Sequence, residues 1–429
     1  MFNSGNQRKI AVVGAGLGGL ITAYKLAESG TRVTVFEKDH QSGGRAKTSS
    51  KDGFKLNLGP HALYLGGSTY RFLSGIGLKP MGAPPTPNKP LAVYEGQLHG
   101  LPFTAKDLLL TGYLSVLEKL ELASFMTKLP KLDVSELMSV SLSDWLHRNL
   151  KGVRARQTIE CFVRLSTYCD APGEIAAGAA LEQLQLASQG VLYLDNGWAT
   201  IVSSLETALA DRFESHVEIR HGAQIDAIHE TETGTELVVG EEQTNFDATI
   251  LCVPPTEAMR LAPKLRENKT LESLTPNQSA CLDICLRKLP NLRRTFVLGV
   301  DEPLYFSVHS NAAKLAPDGR VVLHAAYYFR TGTAHKEYES RLEKLLDQVQ
   351  TGWRNEVVFK RYLPHMVVSY GTPAATRDGN SGLASPLAPG YSKIFLCGDY
   401  VGSGGQLVDC STSSALQAAA AASSNKAPC

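Results

Sequence analysis

An excess of charge of either sign is what this 429-residue chain most plainly lacks: 43 Lys and Arg stand against 42 Asp and Glu, a formal net charge of +1. Such balance gives no electrostatic reason to track a nucleic acid or an acidic surface, and no nucleic-acid partner is expected. Long apolar runs are also missing, since none reaches the roughly 18 residues that cross a bilayer. The opening MFNSGNQRKI has no apolar signal core, so a cytoplasmic chain is expected. The 8 cysteines include no C-x-x-C pair, and most lie in apolar stretches as reduced core thiols do. Cys281 and Cys285 would share a strand face but have no histidine or acid partners to complete a site, and no metal is expected. With 43% hydrophobic and 20% charged residues the chain is ordinary and globular, and its length suggests two or three domains.

Glycine, by contrast, is concentrated. VVGAGLGGLITAY, from Val12, carries Gly14, Gly16, Gly18 and Gly19. A short buried-strand pattern, KIAVV, precedes it, and Leu17, Leu20, Ile21 and Tyr24 follow at helical spacing up to a stop at Gly30. A β-branched run, TRVTVFE, then ends at Glu37. Strand, glycine turn, helix and strand make a βαβ unit. In Gly14-x-Gly16-x-x-Gly19 the first glycine makes the turn, the second admits a pyrophosphate, and the third lets helix and strand pack closely. The helix start adds free N–H groups toward an anion. Glu37 ends the second strand, where a carboxylate meets a ribose hydroxyl. Up to this point NAD and FAD fit equally well.

Residues 101–149 are Leu-rich with a helical period, punctuated by Pro102 and Pro130, and Ser143 is expected to cap a helix carrying Trp145, Leu146 and Leu150. Strand signals recur in HVEIRHGAQIDAIHETETGTELVVG, with Gly234 at a hairpin, in FDATILCVPP, stopped by Pro254 and Pro255, and in YSKIFLCGDY. Residues 411–424 read as an Ala-rich helix, and MGAPPTPNKP as a rigid loop.

QSGGRAKTSSKDGFKLNLGPHALY decides between the two dinucleotides. It sets Gly43-Gly44-Arg45 just after the second strand and Gly59, Pro60, His61 and Ala62 shortly beyond. Here the chain resembles the flavin amine oxidase superfamily, which includes phytoene desaturases, protoporphyrinogen oxidases and monoamine oxidases. LGPHALY resembles its desaturase-like bacterial members in particular. The resemblance implies FAD, held without a covalent bond, and cofactor contacts at Gly14, Gly16, Leu17, Gly18, Gly19, Glu37, Lys38, Gly44, Arg45, Gly59, Pro60, His61 and Ala62. KIFLCGDYVGSGGQLVDCSTSSALQAAA resembles the family's C-terminal flavin motif. It implies that Gly398 and Asp399 meet the ribityl or pyrophosphate part, while the Gln406, Leu407 and Val408 backbone approaches the flavin O2 side. A helix N-terminus there would stabilise the negative charge of reduced flavin. GAQIDAI resembles the strand whose backbone touches adenine and points to Ile225; GVLYLDNGWATIVSSL resembles an aromatic-x-x-x-Gly-Gly segment, with Asn196-Gly197 in place of two glycines.

The fold class so implied is α/β: a Rossmann-like FAD-binding domain of the GR2, p-hydroxybenzoate-hydroxylase-like type, with an α+β substrate-binding domain. Residues 1–75, 190–260 and 387–429 are expected in the first, and 76–189 and 261–386 in the second. Flavin dehydrogenation needs a substrate C–H held over N5, and a base only where a heteroatom proton also leaves. The candidates for chemistry are His61, beside the flavin in GPHALY, Tyr328, on one strand face with His324 and Ala326, and His365, in a stretch resembling a family strand near the flavin. Tyr64 reads as packing. No lysine is assignable near N5, Lys288 and Lys314 being poorly placed, which favours a carbon–carbon desaturase over a simple amine oxidase. The expected activity is hydride abstraction from a C–H bond of an apolar or amphiphilic small molecule. An amine oxidase that uses O2 and a redox-neutral flavoprotein stay open as alternatives. The Leu-rich segment is a candidate for peripheral membrane contact.

Overall fold

Two sheets organise the computed structural model, in which residues 7–87, 89–329 and 337–424 are described. The first sheet is parallel, in the order Val217–His221, Arg32–Glu37 (β2), Lys9–Val13 (β1), Ala248–Leu251, Ile394–Leu396. Parallel strands are covered on both faces, which is why β1 is buried at every position after Lys9. Side-chain alternation divides it. Ile10 and Val12 join Leu20 and Ile21 of the helix Leu17–Glu28 (α1), Leu205 of the helix Ala199–Phe213, and Ala415 and Ala418 of the helix Leu407–Ser423. Ala11 and Val13 join Ile228, Leu237 and Phe246 of a three-stranded antiparallel meander, and Ala258 and Leu261 of the helix Pro255–Leu261.

The second sheet has seven strands, in the order Val357–Ser369, Asn277–Leu286, Val321–Phe329, Leu304–Ser307, Phe296–Gly299, Leu91–Tyr94, Gln97–Gly100. It is antiparallel except where Phe296–Gly299 lies beside Leu91–Tyr94. Leu122, Phe125, Leu146, Ile159 and Leu181, from helices of the 101–187 region, pack with Cys281, Leu298 and Tyr328 on one face. Leu342, Leu345 and Leu346 of the helix Tyr338–Val349 pack with Leu282, Ile284 and Phe306 on the other.

Local expectations are corrected at three places. The cap of the helix Leu142–Asn149 is Ser141, not Ser143: its hydroxyl accepts from Asp144 N at 3.1 Å, while the Ser143 N–H is taken by Pro172 O. GAQIDAI is a strand only from Ala227 on, because Gly222 at φ +69° turns the chain and Ala223 N bonds back to Glu37 O. The last helix begins at Leu407 rather than at 411. Within MGAPPTPNKP the pair Gly82–Ala83 forms a short strand against Tyr193 and Leu194, and Asn88 lies outside the described residues.

Candidate active site

A cavity of about 550 Å³ opens at the carboxyl ends of the parallel strands, where open α/β sheets bind ligands. β1 delivers Gly14 and Gly16 to its wall, β2 delivers Glu37, Lys38 and Asp39, and the two strands beyond β1 deliver Cys252–Pro254 and Cys397–Tyr400. Gly14 has φ +100°, and a Cβ there would lie 2.5 Å from Cys252 O, so no other residue fits the turn. A Cβ on Gly16 would meet nothing within 4 Å, since that side faces the cavity. Gly19 is absent from the wall. Its Cβ would stand 1.9 Å from Gly14 O, which makes it the close-packing glycine between α1 and the turn. Glu37 is buried; Oε2 accepts from Ala15 N at 2.8 Å and Oε1 from Asp39 N at 3.0 Å. Each oxygen keeps a lone pair for a ribose hydroxyl.

The glycine-arginine segment and the C-terminal motif meet through one ion pair. Arg45 Nη1 donates to Asp399 Oδ2 at 2.6 Å and to Val368 O at 2.9 Å, while Tyr370 N also donates to Oδ2 at 3.1 Å. Asp399 Oδ1 is buried and has no partner among the described residues; on the same wall the Trp198 indole N–H is likewise unpartnered. Of the residues expected at the cofactor, Leu17, Gly18, Gly44, Arg45, Pro60, His61, Ala62, Ile225, Gly398, Leu407 and Val408 line the cavity. Gly59 and Gln406 do not. A Cβ on Gly59, at φ +77°, would run into the Met366 thioether, and the Gln406 amide turns away to donate to Ala179 O at 2.8 Å.

The remaining wall is apolar and aromatic: Leu58, Tyr64, Tyr168, Trp198, Met366 and Val367. Tyr168 donates to Pro60 O at 2.9 Å and so fastens the loop that presents His61. His61 Nδ1 is 3.0 Å from Gly59 O, and burial pushes the imidazole down to about 4. Two of the three catalytic candidates do not reach the cavity. Tyr328 lies one layer behind, its ring edge-on to Tyr168 at 5.8 Å and its hydroxyl buried without a partner among the described residues. His365 is exposed and packs against Phe329. The register between its strand and Asn277–Leu286 slips beside Pro364, which has no N–H for the ladder, and Met366 rather than His365 faces inward. Sequence reasoning missed Trp198, Tyr168 and Met366, whose positions depend on distant pairing. It also missed Cys252–Pro254, which the rule that ligands sit at strand ends could have found.

These residues fit a flavin dinucleotide. A buried acceptor and a buried donor without protein partners, a glycine turn open to the cavity and two helix N-termini are complementary to hydroxyls, a pyrophosphate and a ring edge. Fold and site together define a Rossmann-type dinucleotide-dependent oxidoreductase. Residues 17–423 match the model of the flavin containing amine oxidoreductases, and the chain belongs to that family. It is 24% identical over 413 residues to a 4,4'-diapolycopen-4-al dehydrogenase of Metabacillus indicus, with 82% of each chain covered. In fold it is similar to an oxidoreductase of Methanosarcina mazei (TM-score 0.75, 18% identity, covering 95% of this chain and 99% of that one). It is also similar to the cyclohexylamine oxidase of Brevibacterium oxydans (TM-score 0.71, 14% identity, covering 97% and 98%). The protein is an FAD-dependent oxidoreductase.

Proposed function

We propose that the enzyme dehydrogenates an apolar or amphiphilic small molecule at a C–H bond, as a desaturase or dehydrogenase does. When bound, the flavin supplies the hydride acceptor. The observation that carries this reading is the wall around His61: Tyr64, Tyr168, Trp198, Leu58, Ala62 and Met366 make it apolar, and Lys38, the one lysine on the cavity wall among the described residues, stands beside Glu37 instead. The Metabacillus relative, whose name describes oxidation of a long polyene aldehyde, supports the same class.

The protein's part is binding, orientation and exclusion of water. Glu37 takes the adenosine ribose, the α1 N-terminus with Gly14 and Gly16 takes the pyrophosphate, Asp399 with Arg45 takes the ribityl side, and the Leu407–Val408 backbone takes the O2 edge. FAD is held without a covalent bond. Cys410, the thiol inside the C-terminal motif, donates to Val401 O at 3.3 Å and is not part of the wall. Residues 1–75, 190–260 and 387–429 form the cofactor domain in this reading, and 76–189 and 261–386 the substrate domain. In support, the parallel sheet draws all its strands from the first set, and of the seven-stranded sheet none comes from it. Mixing the oxidised holoenzyme anaerobically with micellar diapolycopenal should bleach the flavin, while putrescine and cyclohexylamine should not. Bleaching by the amines alone would overturn the proposal in favour of an amine oxidase.

The same reading places a cytoplasmic enzyme against a membrane from which it draws substrate. No helix among the described residues is long and apolar enough to span one. The helices Ala105–Leu110 and Val116–Lys128, however, leave Leu109, Leu110, Val116, Leu117 and Leu120 63–74% exposed in one stretch of chain. Co-sedimentation with neutral and anionic vesicles tests this contact; failure to bind either removes it.

A further inference from the structure

Beneath the glycine turn two thiols from distant parts of the chain lie side by side. Cys252 follows the strand Ala248–Leu251, and Cys397 follows its parallel neighbour Ile394–Leu396. Leu251 pairs with Leu396, and Cys397 N donates to Leu251 O at 2.9 Å, so the next residues along, Cys252 and Cys397, stand opposite one another. The Thr22 hydroxyl of α1 is 3.8 Å from Cys252 Sγ and 3.9 Å from Cys397 Sγ, which puts both thiols on the α1 side of the sheet. A hydrogen bond between the two thiols lowers Cys397 below the ordinary thiol value, while burial raises Cys252 well above it. Neighbouring strands lie about 4.8 Å apart, inside the range of about 4.4–6.8 Å between Cα atoms that a disulfide spans.

Among the described cysteines, all of them free, only these two line the cavity, and Cys252 is half-buried rather than sealed in the core. The glycine turn rests directly on them. A Cβ on Gly14 would lie 2.5 Å from Cys252 O, and one on Gly18 would lie 2.9 Å from Cys397 Sγ. The Thr22 hydroxyl that touches both sulfurs also donates to Gly18 O at 2.8 Å. Nothing between the turn and the thiols is loose, so drawing the two sulfurs into a bond shifts the strand ends on which the turn sits.

We propose that Cys252 and Cys397 are a peroxide-sensitive thiol pair, which closes to a disulfide when the cavity is empty and in that form keeps FAD from binding. Hydrogen peroxide is the oxidant and takes two electrons from the pair. Its O–O bond breaks as one sulfur gains an oxygen, giving a sulfenic acid and one water. The second thiol then attacks that sulfur: the S–S bond forms, the S–O bond breaks, and the thiol proton leaves with the hydroxyl as a second water. A bound dinucleotide occupies the space over the strand ends and holds the turn in place, so FAD binding and oxidation exclude one another. A thiol pair that opens and closes in this way is the kind of disulfide a reducing compartment admits.

The inference rests on FAD in this cavity and not on the substrate proposed above, so its test needs no substrate. The holoenzyme is treated with hydrogen peroxide, alkylated and digested, and released FAD is measured beside the peptide masses. A peptide joining Cys252 to Cys397, two hydrogens lighter than its two halves, should accumulate in step with FAD release, and dithiothreitol should reverse both. If only the empty cavity is oxidised, raising free FAD from its dissociation constant to about 100 times that value should slow the cross-link about 50-fold. Cys252→Ser, compared with itself before and after peroxide, should keep whatever flavin it carries; reversal by dithiothreitol in the native chain supplies the same evidence where that variant does not fold. Oxidation that stops at a sulfinic acid, a cross-link through Cys410 instead, or cross-linking at a rate independent of FAD overturns the proposal. A chain that carries no flavin before peroxide overturns the functional reading and this proposal with it.

Discussion

The two sheets are organised by different means. At the ends of the parallel sheet the backbone does the binding: glycines without Cβ atoms, strand ends and helix N-termini shape the cavity, and few side chains are needed beyond Glu37, Arg45 and Asp399. In the seven-stranded sheet the buried polar cluster is made of side chains brought together by register, with Asp283 between a histidine 41 residues later and an arginine 78 residues later. A site built from backbone tolerates almost no substitution at its glycines and leaves a spacing in the sequence. A site built from cross-strand pairs leaves no local pattern.

Substitutions should separate the two regions, the largest effect coming from the backbone site. Gly14→Val forces a β-branched residue to φ +100° against Cys252 O. It should abolish bound flavin, read as loss of visible absorbance that added FAD does not restore. In the second sheet, Asp283→Ala strands a largely buried guanidinium and should cost about 3–5 kcal/mol in urea unfolding, the usual loss when one partner of a buried pair is removed. Asp399→Ala takes the unpartnered acceptor from the cavity and the partner from Arg45, and should weaken FAD binding by about 10- to 100-fold in equilibrium titration.

Acid should act on His61. The His61 imidazole sits at about 4 in the folded protein against an ordinary value of 6.5. Above 6.5 neither folded nor unfolded His61 binds a proton; as pH falls from 6.5 toward 4 only the unfolded chain does, so stability declines through that window and levels off below it. His61→Gln should flatten part of the decline in urea midpoints measured across the window. The smallest effect belongs to the exposed leucines: Leu117→Asp should change stability by no more than about 0.5 kcal/mol while reducing vesicle co-sedimentation.

What could be read from the sequence follows the same division. Gly14, Gly16, Gly19 and Glu37 were legible because a βαβ turn fixes their spacing, and Arg45 and Asp399 because each sits in a motif of its own. That these two meet was not legible, since 354 residues separate them. The RYLPH stretch points to a strand that does reach the cavity, but through Met366, Val367 and Val368. With a side-chain period of two, a bulge at Pro364 is enough to turn His365 outward. Tyr328 was placed on the same strand face as His324, which holds, yet strand alternation says nothing of the Tyr168 ring lying between it and the cavity. Trp198 stood next to Gly197 in the quoted segment, and only the fold shows that its indole faces the cavity.

The measurement that tests the account most directly is the visible spectrum of the purified chain, taken before and after denaturation and filtration. The account predicts flavin bands in the folded protein and about one equivalent of free FAD in the filtrate once the cavity unfolds. A colourless protein that FAD cannot reconstitute, and that binds NADPH instead, would contradict it and reassign the glycine turn to a nicotinamide cofactor.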